Sequence, residues 1–306
     1  MSDPDPSFAP PVGTAEDLSD GLRRLLAPNP SPMTFRGTNT YLLGTRGIAV
    51  IDPGPQDERH LDAILAALRP GQEISHIVVT HAHLDHSPLS RRLSEVTGAP
   101  VLAFGNALAG RSTIMQELAA SGLVGGGEGV DAGFEPDIAL PDGAVIEGDG
   151  WHLDVVHTPG HFGNHIALGW GDALFCGDLV MGWATSLVSP PDGDLSDFMA
   201  SARRLQSGPW RQFHPGHGAP LIQPQERLAW LINHRLSREA SILAELDSGP
   251  AGAADLARRI YTDTPAALIP AATRNVLAHL VDLTSKSVVT PVDALTADAL
   301  FSRLRG

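Results

Sequence analysis

Lysine is almost missing from this chain of 306 residues: Lys286 is alone, and the other 20 of its 21 basic side chains are arginines. Cysteine is equally scarce, with only Cys176, so an internal disulfide is excluded and a reducing compartment fits. No apolar run approaches the length of a membrane-spanning helix. The opening MSDPDPSFAP is acidic and proline-rich and lacks the basic-then-apolar order of a secretory leader, so a cytoplasmic location is expected. Positive charge is short as well, with 21 basic against 35 acidic residues and a formal charge of -14. Residues 231–306 carry eight of each sign, so the whole excess lies on the first 230. Such a surface repels a phosphate backbone at long range, which disfavours RNA as a partner.

What is present is a regular alternation of short β-branched runs and amphipathic stretches up to about residue 225. GIAVIDPG (47–54) reads as a buried strand stopped by Pro53 and Gly54. DERHLDAILAAL (57–68) places Leu61, Ile64, Leu65 and Leu68 on one helical face. HIVVT (76–80) is the next strand, SPLSRRLSEVTG (87–98) a helix and VLAF (101–104) a strand. A second half repeats the texture, with strands in HLDVVHTPG (152–160) and DALFCGDLV (172–180). GGGEG, between the halves, reads as a mobile loop and not a phosphate loop, because no Gly-Lys-Ser/Thr follows. Beyond 226 the texture turns to helices at 227–249, 253–262 and 270–286, then β-rich SVVTPV and a terminal helix near 294–304. That order suggests a small, mostly helical, winged-helix-like unit over 227–306 after a larger domain over 1–226.

Chemistry concentrates in THAHLDHS (80–87), where His81, His83, Asp85 and His86 fall within six positions at a strand's end. His81 and His83 are two apart, so on extended chain both imidazoles leave one side. Asp85 continues the alternation, and His86 points elsewhere as the chain turns into the helix. One segment thus offers two nitrogens to one cation and an oxygen plus a nitrogen to another, the mix that borderline metals take. Further ligands stand at glycine-flanked turns: His161 in HTPGHFGNH, Asp178 in FCGDLV and His217 in FHPGHGAPL.

The series HAHLDH, TPGH, GD and PGHG resembles the metallo-β-lactamase superfamily in residue type, order and spacing, over roughly residues 20–225. The resemblance implies a four-layer αβ/βα sandwich with its site at one edge between the halves. It assigns His81, His83 and His161 to one metal and Asp85, His86 and His217 to the other, with Asp178 bridging. Two zinc ions are implied, with manganese or iron as alternatives. A metal-bridging hydroxide would attack the substrate, and Asp85 would orient it as well as bind metal. His165 and His214 read as structural or outer partners, and His60, His76, His152, His157, His234 and His279 as ordinary structural histidines.

Asp178 resembles the glyoxalase II, phosphodiesterase and ribonuclease branches rather than the antibiotic-hydrolysing members. His83 disfavours the flavodiiron branch, while a mononuclear iron dioxygenase of the persulfide type shares much of the motif. NPSPMTFRGTNTYLLG (29–44) resembles the N-terminal hairpin of the lactamase-beta-two-like branch, which carries a C-terminal winged helix. In that branch the hairpin borders the site, making Thr38, Asn39 and Tyr41 substrate-contact candidates. Trp183 and Pro190-Pro191, within 181–205, are candidates for an apolar wall. The expectation is a zinc hydrolase of a small ester, thioester or related acyl substrate. A single-stranded-RNA endoribonuclease and weak β-lactam hydrolysis are the alternatives. Arg258, Arg259 and Arg274 could form a basic patch, although a solvated helix face is the simpler reading. The small domain could equally dimerise the chain or form a lid.

Overall fold

Strands buried on both faces need a covering layer on each side, and a computed structural model describing residues 7–125 and 129–304 has that arrangement. Gly126, Gly127 and Glu128 of the glycine-rich loop lie outside the described residues. The first sheet runs in order from β1 (Glu16–Ser19) through β2 (Leu22–Leu26), β3 (Asn39–Leu43), β4 (Gly47–Ile51), β5 (Glu73–Val78) and β6 (Val101–Ala103) to β7 (Ile138–Ala139). Its first four strands form an antiparallel meander, and β4 to β7 are parallel. Helices α1 (Glu58–Ala66) and α2 (Leu89–Thr97) make two of the crossovers, and α3 (Thr113–Ala120) follows β6. The Asp57 side chain caps α1 by accepting from the Arg59 amide, which satisfies one orphan donor of its first turn.

The second sheet holds β8 (Val145–Glu147), β9 (His152–His157), β10 (Ile166–Trp170), β11 (Ala173–Gly177), β12 (Gln212–Pro215) and β13 (Leu221–Ile222). Strands β11 and β12 are parallel and are joined through α4 (Leu195–Gln206). Period-two alternation sorts the side chains into layers. Tyr41, Leu43 and Ile51 meet Val155, Leu168 and Phe175 between the sheets. Leu42, Val50 and Ile77 face α1 and α2 through Leu61, Ile64 and Leu93. Leu174, Cys176 and Phe213 face α4 and the next helix, α5 (Pro224–Leu246), through Phe198, Leu205 and Leu231. The four-layer αβ/βα sandwich expected from the sequence is therefore present.

The C-terminal unit adds β14 (Ala251–Gly252), α6 (Ala253–Ile260), α7 (Ile269–Ser285), β15 (Val289–Pro291) and β16 (Leu300–Arg303). The terminal helix expected near 294–304 is corrected to a strand: β16 lies between β14 and β15. Phe301 is fully buried and pairs with Ala251 on one side and Pro291 on the other, pairing that selects strand over helix. The line drawn at 226/227 falls inside the first turn of α5. That helix enters both cores, with Leu228 and Leu231 under the sandwich and Ile242 and Leu246 in the C-terminal cluster. Met115 and Leu118 of α3 also pack into the C-terminal cluster. No helix among the described residues is long and apolar enough to cross a membrane.

Candidate metal centre

Every expected ligand lies just past the carboxyl end of a strand or in the turn that follows it. His81 to His86 follow β5, His161 follows β9, Asp178 follows β11 and His217 follows β12. This edge of an αβ sheet is where ligands gather. All seven side chains are buried; His161 is the most exposed at 7%, beside His83 and Asp178 at 6% each, so solvent reaches the cluster from that side.

The donor atoms fall into two groups, His81-His83-His161 and Asp85-His86-Asp178-His217, with atoms in each group within 4.8 Å of one another. In the first, His83 Nδ1 lies 2.9 Å from His81 Nε2 and 3.1 Å from His161 Nε2. In the second, His217 Nε2 lies 3.1 Å from Asp85 Oδ2 and 3.1 Å from Asp178 Oδ2. Asp178 reaches across: its Oδ2 is also 3.9 Å from His161 Nε2, and its Oδ1 is 3.5 Å from His86 Nε2. Gly216 permits this approach, because a Cβ there would stand 2.3 Å from Asp178 Oδ1.

Outer partners fix which nitrogen faces inward. His161 Nδ1 donates to the Leu187 carbonyl at 2.7 Å, and His217 Nδ1 to the Gly37 carbonyl at 3.1 Å. His86 Nδ1 lies 2.9 Å from Asp52 Oδ2, and His81 Nδ1 lies 3.0 Å from Thr80 Oγ1. With Nδ1 so engaged, each of these four rings turns Nε2 inward. His165, expected as an outer partner, accepts from the Asp178 amide through Nε2 at 3.1 Å. His214 packs against Phe175 and Tyr41.

The residues fit divalent cations. Both Asp85 oxygens and Asp178 Oδ1 are buried without a hydrogen-bond partner, a costly state unless a cation or water satisfies them. Electrostatics agree. Burial alone would lower His217, yet Asp178 and Asp85 hold it up at about 10. Burial would raise Asp178, but the His217 and His86 rings hold its carboxyl well below the usual range. The acid-rich group draws positive charge into itself. Burial pushes His83 down to about 3, with the neighbouring His161 adding to the shift, leaving a neutral ring suited to coordination.

Thr38, Asn39 and Tyr41, expected to contact substrate, build the support for His217. The Asn39 side-chain amide donates to the Pro215 and Gly218 carbonyls at 3.0 and 2.9 Å, and the Tyr41 hydroxyl to the Pro215 carbonyl at 2.7 Å. Thr38 pairs with His217 through backbone, and its side chain accepts from Asn29. All three are buried. Pro190 and Pro191 are buried too. Trp183 is half-buried and stacks on Phe35 with ring centroids 5.0 Å apart. Phe35 stands two residues before the carbonyl that orients His217, so this pair borders the cluster. Among residues missed from sequence, Asp52 matters most. At the end of β4 it accepts from the Thr80 amide and hydroxyl as well as bonding His86. Its signal was an acid ending a wholly apolar strand in GIAVIDPG.

Gly160 sets up a prediction. Its φ is +135°, and a Cβ there would stand 2.2 Å from the Phe198 Cα. Gly160→Ala is expected to displace His161 and weaken metal retention at its group at least about tenfold. The measurement is a chelator competition beside a melting curve. Unchanged retention would show that the turn tolerates the methyl.

The comparisons agree with this geometry. Residues 33–226 match the model of the metallo-beta-lactamase superfamily, and residues 253–294 that of the beta-lactamase associated winged helix domain. The chain is 30% identical over 288 residues to a beta-lactamase-like protein 2 homolog of Caenorhabditis elegans, covering 91% of this chain and 89% of that protein. It is 30% identical over 246 residues to an atrochrysone carboxyl ACP thioesterase of Aspergillus fumigatus, covering 78% of this chain and 69% of the relative. Among solved structures, a metallo-beta-lactamase family protein from Thermus thermophilus aligns with a TM-score of 0.76 at 26% identity, covering 94% of this chain and all of that one.

Proposed function

This chain belongs to the metallo-β-lactamase superfamily, and from that membership we propose that it is a two-metal hydrolase of a small acyl substrate, an ester or thioester. The observation that carries the reading is the pair of convergent donor groups joined by Asp178, with buried carboxylate oxygens left unbonded. In this reading His81, His83 and His161 would hold one zinc ion and Asp85, His86 and His217 the other, with Asp178 available to both; manganese and iron suit the same donors. Two divalent cations bound there would supply a water of lowered pKa and positive charge to offset a developing negative oxygen.

The chain's own residues do the rest. Asp85 turns Oδ2 toward His217 and His86, and Oδ1, buried without a hydrogen-bond partner, would orient the attacking water and hold its proton. Outer bonds from Leu187, Gly37, Asp52 and Thr80 keep the rings from turning as charge develops. The Phe35–Trp183 stack offers an apolar edge for an acyl chain, so Trp183 stays the proposed substrate contact. The thioesterase relative supports acyl transfer to water, and the charge of -14 supports a small substrate over a polyphosphate chain. Residues 1–226 carry the chemistry and 227–306 the winged-helix unit, and the one buried thiol, Cys176, supports a cytoplasmic setting.

A panel of short- and medium-chain acyl thioesters, nitrocefin and labelled single-stranded RNA tests the substrate. Thioester turnover that stops on chelation and returns with metal is expected. Rapid RNA cleavage with thioesters untouched would overturn the acyl reading.

A further inference from the structure

We propose that the C-terminal helical unit positions a metal ligand of the catalytic centre, through Asn275 acting on the peptide that orients His161. The inference rests on the reading of His161 as a metal ligand. The peptide group joining Leu187 to Val188 is one rigid plane. On one side its carbonyl, that of Leu187, accepts from His161 Nδ1 at 2.7 Å. On the other its N–H, that of Val188, donates to Asn275 Oδ1 at 3.1 Å. Asn275 lies on α7, far along the chain from either partner. Fixing the N–H fixes the plane, and so the direction of the carbonyl that sets the His161 ring.

Asn275 is itself held. Its Oδ1 accepts a second bond, from Arg235 Nη1 at 2.8 Å, and its Nδ2 donates to the Ala271 carbonyl at 3.3 Å. An oxygen facing two donors leaves one orientation for the amide. Arg235, on α5, is 2% exposed. It also donates through Nη2 to the Ser186 carbonyl, the peptide before the oriented one. Its guanidinium carbon lies 5.0 Å from the centre of the Phe198 ring, and the Phe198 backbone is what closes on Gly160, the residue before His161. The segment 186–188 is therefore gripped at consecutive peptides by two helices of the C-terminal unit. A buried guanidinium is expensive to desolvate, and packing alone would be served as well by an apolar side chain. The bonds on the two sides of the peptide, from His161 to its carbonyl and from its N–H to Asn275, are in series and polarise one another, while Arg235, a second donor to the same oxygen, holds the amide in place. The relay makes His161 a better-oriented and more basic donor, and makes both residues positioning residues rather than catalytic ones.

Asn275→Leu removes the acceptor at similar volume, and Asn275→Asp keeps it. Stepwise zinc binding to stripped protein is followed by chelator competition, with cadmium-113 resonances distinguishing the two ions. In Asn275→Leu the ion at His81-His83-His161 is expected to bind about tenfold more weakly, with the other ion unchanged. Asn275→Asp is expected to restore that affinity while shifting only the first ion's resonance. Equal weakening of both ions, or wild-type affinity in Asn275→Leu, would overturn the proposal. Should Asn275→Leu fail to fold, an unshifted first resonance in Asn275→Asp overturns it equally. A wild-type protein that binds no metal removes both this inference and the reading beneath it.

Discussion

Asp178→Asn should leave a folded protein that retains one metal at most and loses about a thousandfold or more in kcat on whatever substrate it cleaves. The substitution keeps shape and volume, so packing is not what changes. What changes is a carboxylate whose two oxygens face His161, His86 and His217 at 3.1 to 3.9 Å. A neutral amide cannot offset two cations held close together, and its NH2 would point a donor at a site that needs an acceptor. The Asp178 amide would still donate to His165, so the turn itself should persist. Metal content, circular dichroism and turnover on one preparation check this. Two tightly held metals with near-normal kcat would remove Asp178 from the bridge.

Asp52→Asn carries the second large effect, although Asp52 belongs to neither donor group. Its carboxylate accepts from the Thr80 amide at 2.7 Å, the Thr80 hydroxyl at 2.8 Å and His86 Nδ1 at 2.9 Å. It is 2% exposed and sits at φ +51°, a conformation that costs a non-glycine residue unless the surroundings insist on it. An amide has one acceptor oxygen for these three donors, so a buried donor goes unpaired. Stability should fall by about 3 kcal/mol, and affinity for the metal at Asp85-His86-His217 by about ten- to a hundredfold. Denaturant unfolding and zinc titration report the two separately. Loss of stability with unchanged affinity would make Asp52 a fold residue only.

The seven donor positions were legible because each is a titratable side chain at a strand end or glycine-flanked turn, where spacing alone brings chemistry to an edge. The layers were legible too, since strands such as β4 are apolar at every position and α1 carries one apolar face. Two kinds of information were not. The first is backbone: the carbonyls of Leu187 and Gly37 orient the His161 and His217 rings, and any residue type has a carbonyl. The second is long-range partnership. Asn39 and Tyr41 are polar residues near a site whose bonds run to residues 215–218, while Thr38 bonds Asn29. Asn275 and Arg235 carried no local mark, because their roles exist only once α5 and α7 pack on the sandwich. The terminal segment failed differently: its local preference is helical, and pairing around Phe301 makes it a strand.

The two-metal centre is tested most directly by counting ions: zinc titrated into metal-stripped wild-type protein, with bound metal measured after removal of excess. The arrangement of His81, His83 and His161 beside Asp85, His86 and His217, with Asp178 between, predicts saturation at two ions per chain. Saturation at a single ion, or none, would contradict it.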